Sequence, residues 1–303
     1  MLTDRGGAKA GASADTGDCM RIPKAAFQGA LLAMLAGCAA KPAVNMYKPE
    51  DLAATDAAQP ATYSDTDWAE ILRDNVHDGL VDYRHLTAHA EPLKRYLDLV
   101  QHVGPQSTPD QFREPNAALA YYINVYNAGV LDAVLRAGVP ITMYDLELPP
   151  VERGYRFLVD GKPHTLGDIH ALAEQSAEGN ARVELALSGA ALGTPPLANE
   201  PYRPFDVRQR LLDLGELAVS NPHLVRVDHE HQELLVGLPI MAQRDAFIEM
   251  YKRETASPSG TMLNCLMHMA GSNQRAYLAR ATGYDVHILP FDRTLNAWKP
   301  NAG

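Results

Sequence analysis

Apolar positions recur along the chain at two spacings, and these spacings set its elements. Trp68, Ile71, Leu72 and Val76 fall on one helical face, which predicts a helix over 67–76 capped by Asp65 or Thr66. Residues 79–83 read as a turn and a short extended piece. Leu93, Tyr96, Leu97 and Val100 predict a helix over 91–103, ended by Gly104-Pro105. The longest pattern covers 116–137 and is closed by Gly138 and Pro140. It is apolar nearly all round, so it belongs in the centre of a domain.

Beyond it, strands over 155–159 and 162–165 flank Asp160-Gly161, a dipeptide that tolerates positive φ at both turn positions and so predicts a hairpin. A short helix follows over 166–174. The apolar run 183–187 fits strand or helix, and periodicity does not decide between them. Helices are predicted over 204–220, 243–253, 261–270 and 273–281. A second hairpin pairs 224–227 with 233–238, and a last strand covers 284–289. Helices dominate and strands come as hairpins. The reading is therefore an α+β fold: one mostly helical domain around a central apolar helix, with a small, largely antiparallel sheet.

Composition sharpens this picture at the N-terminus. Arg21 and Lys24 precede a run over 25–36 that only Gln28 and Gly29 interrupt, followed by Leu35-Ala36-Gly37-Cys38. A positive start, an apolar stretch and small residues before a cut make a secretory signal. The run is too short to span a bilayer as a helix. The four residues ending in Cys38 resemble the bacterial lipoprotein box, which implies lipidation of Cys38 and cleavage before it. Ala39 stands where an Asp would imply inner-membrane retention, so the resemblance implies the outer membrane, facing the periplasm. Residues 1–19 do not fit a signal and are read as an extension before a start at Met20. The expected organisation is a signal over 20–37, a tether over 38–61, a domain over 62–297 and a tail over 298–303. The lipid anchor makes the membrane a partner.

The net charge of −10 excludes a nonspecific nucleic-acid binder, which needs a basic surface to displace counterions. Three cysteines do not make a disulfide framework.

Tyr121-Tyr122-Ile123-Asn124-Val125-Tyr126-Asn127-Ala128 resembles the family catalogued as domain of unknown function 547, found in bacteria and plants. In order along the chain, Gly79-Leu80-Val81-Asp82-Tyr83, Thr165-Leu166-Gly167-Asp168-Ile169, Ala186-Leu187-Ser188-Gly189-Ala190 with Pro195-Pro196-Leu197, and Pro290-Phe291-Asp292-Arg293-Thr294-Leu295-Asn296 are similar to further segments of it. The resemblance spans about 65–297. Ser188 stands where the family has its first cysteine, the second falls near Gly193 or Thr194, and Arg293 replaces a Trp. His170 sits one place before the family's histidine.

Several constellations follow. Asn124 and Asn127 share a helical face and must find partners in so apolar a helix, either lining a pocket or forming a buried network. Ser188, in a small-residue loop closed by two prolines, needs a base, and His164 or His170, oriented by Asp168, are the nearest in sequence. The family's Cys/His pattern is reminiscent of papain- or transglutaminase-like hydrolases, of which this set would be a remnant. Cys265 with His268, and His229 with His231, Asp228 and Glu230, read more simply as a core thiol and a solvated loop. No cofactor or metal is expected. The reading leans towards a non-catalytic binding or scaffolding module for an envelope protein or small ligand.

Overall fold

The computed structural model of the chain describes residues 61–143 and 156–300. Cys38 and the residues predicted to form the signal lie outside them. The described part begins with helix α1 (Thr66–Asn75), the hairpin β1 (Val76–His77) and β2 (Leu80–Val81), and helices α2 (Tyr83–Ala88) and α3 (Glu91–His102). Asp65 takes the N-cap position of α1, but its carboxylate accepts a bond from Arg203 Nε at 2.9 Å and caps nothing.

Helix α4 (Ala117–Arg136) is buried along its whole length except at Ala118, Leu135 and Arg136. Its sequence is apolar all round, and packing surrounds it accordingly. Gly138, at φ +76, ends it in the left-handed conformation. Strands β3 (Arg156–Val159) and β4 (Lys162–Thr165) then pair antiparallel around Asp160-Gly161, both at positive φ. The Asp160 carboxylate does a second job: it accepts the backbone N–H groups of Gln106 and Ser107 at 2.7 and 2.6 Å. The turn thus anchors the chain leaving α3.

Helix α5 (Leu166–Ser176) starts with a capping box between Thr165 and Asp168. The ambiguous run beyond it is neither strand nor α-helix but a 3-10 turn, Ala181–Leu185. Helix α6 (Val207–Ser220) starts three residues later than its apolar pattern, because Asp206 turns its carboxylate back to the Arg203 N–H. The rest comprises β5 (Val225–Asp228), β6 (Glu233–Val236), α7 (Leu238–Met241), α8 (Arg244–Thr255), α9 (Met262–Met269), α10 (Ser272–Ala279) and β7 (Asp285–Ile288). The fold is α+β, with antiparallel hairpins at β1–β2, β3–β4 and β5–β6. One pairing departs from that pattern: β7 joins β6 in parallel, so the largest sheet is mixed.

Two groups of buried side chains result. One holds Trp68, Tyr96, Leu119, Ile123 and Leu166; the other holds Phe247, Met250, Cys265 and Leu266; Leu214 packs on both. Each fully buried side chain of this size contributes about 1.5–3 kcal/mol. The first group is closed by the last segment of the chain. Leu192 and Gly193 donate backbone bonds to Thr294 and Asp292, Met143 to Arg293, and Val81 to Asn296. Trp298, the first residue of the expected tail, packs onto the fold: its backbone N–H donates to the Val81 carbonyl and its ring lies 4.3 Å from His77. Among the described residues, no helix is long and apolar enough to cross a membrane.

Candidate functional site

The two asparagines of α4 face different loops and hold both. Asn124 Oδ1 accepts the Tyr202 N–H at 2.9 Å and the Trp68 indole N–H at 3.3 Å, while its Nδ2 donates to the Tyr202 carbonyl at 2.8 Å. Asn127 Nδ2 donates to the Ala186 carbonyl and its Oδ1 accepts the Ser188 N–H, both at 2.9 Å. An amide is the side chain for this task, since it offers the backbone a donor and an acceptor at once.

The loop after Ser188 has its own bracing. The Thr194 hydroxyl accepts the N–H groups of Gly189 and Ala191 and donates to the Ala191 carbonyl at 2.7 Å. Its far end meets the β1–β2 turn, where Leu197 donates to the Gly79 carbonyl at 3.3 Å. Gly79 has φ +81, and a Cβ there would stand 2.3 Å from Pro196 Cβ, so only glycine fits. Segments distant in sequence (79–83, 121–128, 186–197 and 290–296) therefore converge on one region.

A cleft of about 570 Å³ opens beside this region. Its walls are the Asp78-Gly79 turn, the strip from Pro195 to Tyr202, and α6 with Arg210, Asp213, Leu214 and Leu217. Tyr202, clamped by Asn124, is one wall, and the Arg210 guanidinium lies 4.0 Å above its ring. Burial pushes the Tyr202 hydroxyl up to about 12. Arg210 also donates to the carbonyls of Pro201 and Glu200, so it rigidifies that wall.

The residues of the hydrolase reading are engaged separately. The Ser188 hydroxyl is buried and makes no hydrogen bond among the described residues. Asp168 caps α5, and the backbone N–H of Thr165 holds its carboxyl below the usual range. His164 lies in β4 opposite Phe157; burial lowers its pKa, and its Nε2 has no partner among the described residues. His170 Nε2 lies 3.1 and 3.0 Å from the two carboxylate oxygens of Glu184. A nucleophilic serine needs a base within hydrogen-bond reach, and among the described residues the Ser188 hydroxyl has none.

Sequence reasoning missed Glu174 and Glu184. The spacing His170-x-x-x-Glu174 puts both on one face of α5, which was legible, and the 3-10 turn delivers Glu184 to the same place. Burial, then the Glu184 charge, push the Glu174 carboxyl up to about 7, against the opposing pull of His170.

The remaining pairs also divide. Cys265 donates from Sγ to the Phe247 carbonyl, and burial pushes its thiol up to about 12. His268 instead bonds Glu254 at 2.9 Å. His231 bonds Asp228, while His229 bonds the Tyr284 hydroxyl, so the two imidazoles point to different partners. Comparison with known proteins finds no matching family model, no matching curated protein and no matching solved structure.

Proposed function

We propose that the chain is a lipid-anchored protein of the bacterial envelope, held at the outer membrane through Cys38. Its folded part is a non-catalytic module that binds a small ligand and resembles domain of unknown function 547. The observation that carries the binding role is the cleft beside the Asn124–Tyr202 clamp. Its volume of about 570 Å³ lies in the range of ligand sites, and its apolar floor with a few charged groups suits such a site. The convergence of four of the five resembling segments beside it supports the family reading. The Ser188 hydroxyl, without a hydrogen-bond partner among the described residues, supports binding over acyl transfer.

Two measurements test this. Cell fractionation should find the wild-type chain with membranes and Cys38→Ser in the soluble fraction. Native mass spectrometry of protein released gently from the envelope should show a small-molecule adduct, lost in Leu217→Trp, which fills the cleft from an exposed position. Absence of any adduct, or hydrolysis of amide or thioester substrates that Ser188→Ala abolishes, overturns the binding reading.

A further inference from the structure

The His170, Glu174 and Glu184 side chains bring three ligand atoms within 4.8 Å of one another. We propose that they bind one divalent cation of the zinc class, through the His170 ring nitrogen and one oxygen from each carboxylate. The geometry comes close to a coordination shell without any ion to organise it. Zinc bonds of about 2.0–2.2 Å place tetrahedral ligand atoms roughly 3.3–3.6 Å apart. His170 and Glu184 stand at 3.0 Å and every pair of the three lies within 4.8 Å, so side-chain shifts of about 1 Å close the set onto one ion.

Charge points the same way. Glu184 is buried, and among the described residues neither it nor Glu174 pairs with a Lys or Arg. Arg182, two positions from Glu184, is turned away onto Glu254, with bonds of 2.6 and 2.8 Å. Two carboxylates and one imidazole thus share a half-buried space with no cationic side chain of Lys or Arg on the carboxylates among the described residues.

The surroundings resemble those that orient metal ligands. The Gln243 amide donates to Glu174 Oε1 at 2.7 Å, fixing that carboxylate. The ring of Tyr126 meets the His170 ring edge-on at 5.8 Å. An imidazole nitrogen beside two carboxylates suits zinc or manganese, whereas calcium and magnesium prefer oxygen alone. Three protein ligands leave a position for water or a bound group.

The test is calorimetric titration of the full chain, stripped by chelator, with zinc ion alone. One equivalent should bind, and zinc should raise the melting temperature. Glu184→Gln and Glu174→Gln should each weaken binding by more than about 100-fold, and Gln243→Ala by about tenfold, the loss usual for an outer partner. Glu174 is only partly buried, so its variant reads the site even if Glu184→Gln folds poorly, which circular dichroism reports. The His231→Ala variant controls for capture by the exposed histidine loop. No binding by the wild-type chain, or binding that survives both Gln variants, overturns the proposal. Binding lost on His231→Ala alone overturns it as an adventitious site.

Discussion

Asn124 and Tyr202 exchange a reciprocal pair of hydrogen bonds, the side chain of one closing a ring with the backbone of the other across 78 residues of sequence. The same amide oxygen also takes the Trp68 indole proton, so one side chain ties α4 to α1 and to a wall of the cleft. Asn124→Ala leaves three groups unpaired and should destabilise by about 3 kcal/mol. Asn127→Ala strands only the Ala186 carbonyl and the Ser188 N–H, and should cost about 2 kcal/mol. Urea denaturation of both variants checks the order, and a larger loss for Asn127→Ala contradicts it.

Arg182 is almost fully buried and is held by Glu254, whose side chain is 31% exposed. Burial of the guanidinium makes the pair asymmetric. Glu254→Ala leaves a charge without its partner and should lose about 2 kcal/mol, below the 3–5 kcal/mol of fully buried pairs because water reaches the carboxylate side. The double variant Arg182→Met/Glu254→Ala should be more stable than Glu254→Ala alone. A double-mutant cycle measures this, and additivity of the two losses would falsify the account.

Glu174 gives a pH dependence of unusual sign for a carboxylate. Its folded value of about 7 lies above the ordinary 4.5, so the folded state holds the proton longer than the unfolded chain. The contribution is fully present below pH 4.5 and is lost as pH rises through about 7. With chelator present, the wild-type chain should therefore lose stability relative to Glu174→Gln over that window. The groups facing Glu174 are Glu184 and His170, together with the neutral amide of Gln243. A stability difference between the two proteins that stays flat from pH 4.5 to 7.5 is the contrary result.

Cys265 has a buried thiol that burial holds near 12, far from the thiolate range at neutral pH. Alkylation by iodoacetamide at pH 7.5, followed by peptide mapping, should leave Cys265 unmodified in the native protein and modify it fully in denaturant. Prompt native labelling would mean that the α8–α9 contact opens readily.

Much of this fold was legible because its causes are local. Asp160-Gly161 demanded a turn, and the apolar run of α4 a buried helix. The misses have non-local causes. β7 looks like any short strand, and nothing in Asp285–Ile288 announces a parallel partner; the crossover through α7 to α10 decides it. Residues 183–187 held too short a run for either period, and so the position of Glu184 was invisible. Without Glu184 in view, the sequence offers His170, alongside His164, as a candidate base for Ser188, whereas the structure sets it against a carboxylate. Trp298 was read as tail because its partners, His77 and Val81, lie more than two hundred residues away.

The stitching of 292–298 into three earlier loops bears on the order in which the molecule can assemble. A ribosome delivers α1, the β1–β2 hairpin, α4 and the Ser188 loop long before it delivers Asn296, whose amide oxygen takes the Tyr83 hydroxyl proton at 2.7 Å. Until the final residues emerge, the backbone groups of Val81, Met143 and Leu192 wait without their native partners. Completion of the first core thus waits on residues 292–298 and closes a loop of over two hundred residues, a non-local step of the kind that slows folding.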